Sequence, residues 1–339
     1  MAPSVPLSAS NFIRSQKCVK PPVPTKSFAG QIVIVTGSNT GMGLEAARHI
    51  ARLGAEKVIL AVRSLERGRA AASSIVQSTR CAESVIEVWQ LDLASYGSIQ
   101  AFANKVESDL LRLDAVIENA GMLAETFELA EEDERTIKVN VLGTMLLALL
   151  LLPKLRRTAQ GFNKDVVLTF TGSWMHWTTD FPERNADSIF DALADEKSAR
   201  MANNERYSTS KLIELLAFRE LVARLTQPQS GHIVTSMINP GGVATDITRD
   251  GKGLLFKAFV RVSKMVFLRT AEEGSRTLVH AAEGGRETDG QYLDDCQPAR
   301  PELVSPFVTS KEGVDAQAKV WRDIMQRLER VKADVADNI

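Results

Sequence analysis

Apolar, β-branched runs alternate with helix-period segments along most of this chain of 339 residues. Gln31–Thr36 (QIVIVT), Lys57–Val62 (KVILAV), Val85–Leu91, Ala115–Ile117, Val166–Phe170, His232–Ile238 and Gly290–Leu293 read as short buried strands. Between them, Gly41–Leu53, Leu65–Ser78, Ser95–Leu111, a long stretch from about Glu131 to Leu155, Glu205–Leu225 and Ala271–Ala282 read as helices. In the first of these, Leu44, Ala47, Ile50 and Ala51 share one side. This alternation predicts an α/β fold: a single Rossmann-type, doubly wound parallel sheet with helices on both faces.

No internal repeat and no Gly/Ser linker divides the chain, so 28–339 is expected to form one domain. Two stretches break the alternation: 174–204, mixed and charge-rich, and Thr248–Arg269, which contains LLFKAFVRVSKMVFL. Both follow strands, on the side where open α/β sheets bind ligands. The first is expected to be a lid insertion, and 246–269 a substrate-loop region. Residues 1–27 carry Arg14, Lys17 and Lys20, with no acidic residue before Glu45, which is reminiscent of a transit peptide. Pro3, Pro6, Pro21, Pro22 and Pro24 break a long amphipathic helix, so an extended arm lying on the domain is the expectation.

Composition narrows the function. The formal net charge is −1, which gives no reason to expect a nucleic-acid partner. Cys18, Cys81 and Cys296 are scattered, as are His49, His176, His232 and His280, so neither a disulfide framework nor a metal site is expected. Such cysteine usage fits a reducing, cytoplasmic compartment. The most apolar run, Leu146–Leu152, follows Lys138 and Asn140 and stops at Pro153; it reads as a core helix, and no segment is expected to span a bilayer.

The first strand-to-helix junction carries Thr36-Gly37-Ser38-Asn39-Thr40-Gly41-Met42-Gly43. Glycines there allow the backbone to approach a ligand, and the helix N-terminus offers free N–H groups and a partial positive charge. Gly37, Ser38, Asn39, Thr40, Gly41, Met42 and Gly43 are therefore candidates for a dinucleotide pyrophosphate. The second strand ends Leu60-Ala61-Val62-Arg63-Ser64, with no carboxylate to bond a ribose 2′-hydroxyl. Arg63 could instead pair with a 2′-phosphate, which favours NADP(H) over NAD(H).

From about residue 28 to 295 the sequence resembles the short-chain dehydrogenase/reductase family. TGSNTGMG at Thr36–Gly43 matches the family's cofactor turn, and Asp92 in LDLAS the residue that holds adenine. Asn119-Ala120-Gly121 matches the NAG turn after the fourth strand. Asn140 in KVNVLGT, Ser173 in TFTGS, and Tyr207 and Lys211 in YSTSK match the catalytic set. Asn239-Pro240-Gly241-Gly242-Val243 with Thr245 matches the nicotinamide-side loop, which implies cofactor contacts from Pro240, Gly241, Val243 and Thr245. The run SNTGMGLEAAR, Arg63 and the spacing from Ser173 to His176 are similar to the retinol-dehydrogenase-like branch and its fungal biosynthetic relatives.

Tyr207 and Lys211 stand four residues apart and share a helix face. A phenol with a pKa near about 10 is a poor proton shuttle at neutral pH. A neighbouring ammonium and a cationic nicotinamide favour the phenolate and bring it toward the useful range. Tyr207 would then protonate the developing alkoxide in carbonyl reduction, and Ser173 would hydrogen-bond the same oxygen. The resemblance further implies that Lys211 binds the nicotinamide ribose and that Asn140 holds a water linking Lys211 to solvent. It also implies self-association as a homo-oligomer through the long apolar helix and the Tyr207 helix, which insertions can block.

The chain departs from the pattern in two places. Glu118 stands where the family often has Asn, and the gap from Ser173 to Tyr207 is longer than usual. Trp174, His176 and Trp177 either line a substrate site or pack the insertion. The expectation is an NADP(H)-dependent oxidoreductase reducing a hydrophobic ketone or aldehyde, or oxidising the matching alcohol, with a role in secondary metabolism by resemblance. Two alternatives remain: a non-catalytic NADP(H)-binding regulator, and a membrane-surface enzyme using Leu254–Phe267 for peripheral contact.

Overall fold

The computed structural model describes residues 9–225, 231–244 and 268–339. Its eight-stranded sheet contains β1 (Ile32–Thr36), β2 (Lys57–Val62), β3 (Ile86–Gln90), β4 (Ala115–Glu118), β7 (Val166–Thr171), β8 (Ile233–Asn239), β9 (Gln291–Asp294) and β10 (Gln297–Pro298). The spatial order is β10-β9-β8-β7-β4-β1-β2-β3. Every pairing is parallel except β9 with β10. The order reverses between β1 and β4, where open α/β sheets open a ligand crevice beyond their strand C-termini.

The helices are α1 (Ala9–Cys18), α2 (Gly41–Arg52), α3 (Leu65–Thr79), α4 (Tyr96–Asp109), α5 (Arg135–Gly161), α6 (Ile189–Leu193), α7 (Glu205–Arg224), α8 (Ala271–Ala282), α9 (Pro306–Thr309) and α10 (Lys311–Val331). Period-two alternation sorts them onto two faces. Ile32 and Ile34 of β1 join a core with α4, α5, α7 and α10, while Val33 and Val35 point the other way, into a core with α2, α3 and α8. With apolar residues needed on both faces, the strands read as continuous hydrophobic runs.

Most elements fall within two residues of the expectation, and four differences have physical causes. The stretch beginning near Glu131 is first a hairpin, β5 (Leu129–Ala130) with β6 (Asp133–Glu134), turned at Glu131 in the left-handed region. The helix starts only at Arg135, because the Glu134 carboxylate accepts hydrogen bonds from the Thr136 and Ile137 amides and caps it. The N-terminal arm is not wholly extended: α1 fits between Pro6 and Pro21, which limit its length without preventing it. The run 135–161 does reach the length and hydropathy that could cross a membrane, but it lies mostly buried inside the fold.

The insertion at 174–204 is built into the core. Phe181, Ile189, Phe190 and Leu193 are buried, the Ile189 amide donates to Asp323 of α10, and the Lys319 ammonium donates to the carbonyl of Arg184. The second expected lid, 246–269, lies outside the described residues apart from its last two, as do Thr245 and the Leu254–Phe267 stretch.

Candidate active site

The site lies beyond the C-terminal ends of β1, β4 and β7. Gly37 and Gly41 take positive φ, 64° and 61°, at the turn from β1 into α2. A Cβ on Gly37 would meet the Ala120 Cα at 2.9 Å, and one on Gly43 would meet the Asn119 side-chain nitrogen at 2.5 Å and the Gly37 carbonyl oxygen at 2.7 Å. Only glycine lets the two turns pack this closely. The Thr40 side chain does not cap α2, so the helix N-terminus keeps its amides for a ligand. Ser38 is buried, and its hydroxyl donates to the carbonyl of Val35 at 2.8 Å, so this side chain braces the turn.

One residue missed at the sequence level ties the two turns together. The buried Thr36 hydroxyl accepts hydrogen bonds from the Asn119 and Ala120 amides, both at 2.9 Å, and the Asn119 side-chain amide donates to the Thr36 carbonyl at 2.9 Å. Glu118, also buried, receives the Thr36 hydroxyl at 3.3 Å. Burial raises the Glu118 carboxyl to about 8; the Thr36 hydrogen bond partly opposes this and nearby Glu214 adds to it.

On the far side of the crevice, Gly241 of the loop after β8 also takes positive φ, 79°. Val243 and Met42 both lie against Gly274 of α8, so the first turn and this loop flank the same crevice. Arg269 holds the loop by donating to the Pro240 carbonyl at 2.9 Å, and it reaches the Ser15 and Val19 carbonyls, each at 3.1 Å. Gln16 accepts from the Gly242 amide at 3.1 Å, which docks α1 onto this loop. Arg63 is exposed at the end of β2. The Asp92 carboxylate, partly exposed, accepts from the Ala94 amide at 3.0 Å. Glycine turns, open helix amides and a guanidinium beyond β2 form a donor set that fits a phosphorylated dinucleotide.

The expected catalytic residues gather at the middle of the sheet. Tyr207 is half-buried near the start of α7, and the Lys211 ammonium lies 5.8 Å from its ring centroid. Buried Lys211 donates to the Thr171 carbonyl at the end of β7 and to Glu214, both at 2.7 Å. Burial works most strongly against the ammonium, but the Glu214 charge and hydrogen bond together with the Tyr207 phenol oxygen hold Lys211 above the ordinary lysine range. Gly121 of the NAG turn lies between Asn140 and Lys211: a Cβ there would be 3.4 Å from the Asn140 oxygen and 3.9 Å from the Lys211 ammonium.

Asn140 sits in a π-helical turn, Lys138–Gly143, within α5. Such a turn breaks the α-helical register, often at functional sites. The Asn140 side chain accepts from the Met122 amide at 2.8 Å and donates to the Met122 carbonyl and the Ser210 hydroxyl, both at 2.9 Å. It therefore fixes the segment after the NAG turn against α7.

Ser173 follows β7, and its hydroxyl accepts from the Met175 amide at 3.2 Å. His176 does not line the site: it is buried, with Nδ1 2.7 Å from the Ser173 carbonyl and Nε2 accepting from the Ser305 amide at 3.2 Å. Trp177 donates from its indole to the Leu303 carbonyl at 3.2 Å, so both rings tie the Ser173 segment to the C-terminal region. The insertion is laced to α7 on either side of this helix turn, Thr178 to Ser208 and Thr179 to Thr209, each at 2.8 Å between hydroxyls. Arg206, next to Tyr207, is buried between Glu134 and Glu183, at 3.8 and 3.9 Å. A surface cavity of about 630 Å³ lined by Arg224 and Trp321 lies elsewhere, at the other end of α7. It is about 25 Å along that helix from Tyr207, too far to serve the same chemistry.

This arrangement has clear relatives. Residues 31–163 match the family model described as short chain dehydrogenase. A short chain dehydrogenase/reductase of Cryptosporiopsis sp. is 41% identical over 330 residues, covering 96% of this chain and 99% of the relative. A short chain dehydrogenase of Emericella nidulans is 44% identical over 292 residues, covering 84% of this chain and 90% of the relative. Among solved structures, a short chain dehydrogenase from Escherichia coli CFT073 complexed with NADPH matches with a TM-score of 0.57 and 25% identity, over 80% of this chain and 99% of that one. The chain belongs to the short-chain dehydrogenase/reductase family and is an oxidoreductase with a Rossmann-type sheet.

Proposed function

We propose that this oxidoreductase uses NADP(H) to reduce a hydrophobic ketone or aldehyde, with Tyr207 as the proton donor. The observation that carries the reading is the buried Lys211 ammonium, anchored to Thr171 and set beside the half-buried Tyr207 phenol, with the NAG turn and Asn140 against it. NADPH, held there, would supply the hydride for the carbonyl carbon. The turn from Gly37 to Gly43 holds its phosphates on backbone amides, and Arg63 recognises the 2′-phosphate. Asp92 would contact its adenosine, Pro240, Gly241 and Val243 would flank the nicotinamide side, and the NAG turn, Asn119 to Gly121, would lie along it with Gly121 beside Lys211. The solved relative complexed with NADPH supports the choice of cofactor.

In this scheme Lys211 stabilises negative charge on the phenol oxygen as the proton leaves, and it offers a donor to the cofactor ribose. Ser173 hydrogen-bonds the carbonyl oxygen as charge develops there. Asn140 holds the Met122 segment and α7 in register rather than acting on substrate. A biosynthetic role is supported by the similarity to fungal short-chain dehydrogenases.

The test is direct. The purified chain is offered NADPH with a panel of hydrophobic ketones and aldehydes, and cofactor oxidation is matched to alcohol formed. Stoichiometric conversion is expected. Tight NADPH binding with no carbonyl reduced across the panel would favour a regulator instead.

A further inference from the structure

Behind the Tyr207–Lys211 pair lies a carboxylate that this scheme does not use. Glu214 follows Lys211 by three residues on α7, and its Oε2 is 2.7 Å from the Lys211 Nζ. Their side chains are only 3% and 6% exposed, so neither charge is shielded by water. An ion pair this deeply buried holds together because each partner is the main compensation for the other.

Three groups bear on Glu214: Lys211 precedes it on the same helix, Glu118 ends β4, and Tyr292 belongs to β9. Burial keeps Glu118 protonated through neutral pH and pushes the Tyr292 phenol well above its usual value. Burial raises the Glu214 carboxyl as well, and the Lys211 ammonium at 2.7 Å draws it back toward the carboxylate. An isolated ammonium beside a phenol draws off its proton strongly. An ammonium already neutralised at 2.7 Å presents only a dipole at the distance of Tyr207, and a dipole's field falls faster with distance.

We propose that Glu214 is a positioning residue for the Tyr207–Lys211 pair: its carboxylate fixes the Lys211 ammonium in place and counterbalances its charge, so that proton transfer at Tyr207 takes place in a weakened positive field. The proposal rests on Tyr207 as the proton-transferring residue. The step it acts on is balanced. Hydride from the reduced nicotinamide adds to the carbonyl carbon, the C=O π pair moves to oxygen, and the Tyr207 O–H proton passes to that oxygen. The phenolate left behind regains a proton from solvent.

The experiment compares pH profiles of kcat and kcat/KM for reduction and for alcohol oxidation in the wild type, Glu214→Gln, Glu214→Asp and Tyr207→Phe. The Gln variant is also made in a Glu118→Gln background, which removes the Glu118 titration. In Glu214→Gln the basic limb of the reduction profile is expected to move down by about one pH unit or more, the scale of one strong charge contact. The KM for NADPH should stay within a few-fold, and Glu214→Asp should restore the wild-type limb. A limb that stays in place in folded, NADPH-binding Glu214→Gln, or that moves up, overturns the proposal. If Glu214→Gln does not fold, ultraviolet titration of the wild type against Tyr207→Phe isolates the Tyr207 phenol. Ionisation above neutral pH supports the proposal, and ionisation below it overturns it. Turnover surviving in Tyr207→Phe would instead defeat the assignment of Tyr207 itself.

Discussion

His176 Nδ1 lies 2.7 Å from the carbonyl oxygen of Ser173, while its Nε2 accepts the Ser305 amide, so the ring is a neutral strut between the serine segment and the C-terminal region. Burial lowers its pKa from 6.5 to about 4, against the opposing pull of the Ser173 carbonyl. Between these values the unfolded chain binds a proton that the folded chain refuses. The contribution to stability is present above 6.5 and is lost as pH falls toward 4. In His176→Phe the denaturation midpoint should depend less on pH across that window. The same variant should lower kcat with NADPH affinity kept, because Ser173 loses its brace. An unchanged pH slope would rule out this role for the ring.

Glu118 gives the opposite slope. Its folded value near 8 lies above the ordinary 4.5, so the folded state holds a proton that the unfolded state has released between them. Stability should fall as pH rises through that range, and Glu118→Gln should flatten the decline. Urea melts at several pH values would show it. Equal slopes in the two proteins would mean that Glu118 is ionised in its buried site.

Thr36 joins the first turn to the NAG turn through two amides. Thr36→Val preserves shape but removes the acceptor, leaving two half-buried N–H groups without this partner. A loss of about 1–3 kcal/mol is expected in chemical denaturation, with Thr36→Ser recovering most of it. A Val variant as stable as the wild type would contradict the bridging role.

Arg63→Asp should lower kcat/KM for NADPH by about 10- to 100-fold, the worth of a charge-assisted hydrogen bond of about 1.5–3 kcal/mol. Efficiency with NADH should hold or rise. If the ratio of the two cofactors does not change, the 2′-phosphate lies elsewhere.

The sheet was legible because each strand is buried on both faces and each helix keeps a regular apolar side. Motif residues at the ends of β1 and β4 therefore pack together, and Lys211 reaches the end of β7. Long-range partners were not legible. Lys211 with Tyr207 follows from helical spacing, but only the fold shows Thr36 bridging to Asn119 across 83 positions, or His176 reaching Ser305 across 129. Glu214 could have been found, since a carboxylate one turn beyond a lysine on the same helix is a local pattern. So could α10: Ser310 caps it, and Val320, Trp321, Ile324, Met325 and Leu328 mark its buried side. The insertion misled because its charge masked Phe181, Ile189, Phe190 and Leu193, which bury it in the core.

The decisive measurement is NADPH binding and steady-state turnover, made side by side on wild type and Tyr207→Phe. Removing one hydroxyl should leave the dissociation constant within a few-fold while kcat drops by about 10²- to 10⁴-fold, the range that general acid catalysis contributes. A Phe variant that binds NADPH and still turns over at near wild-type rates would place the proton donor elsewhere.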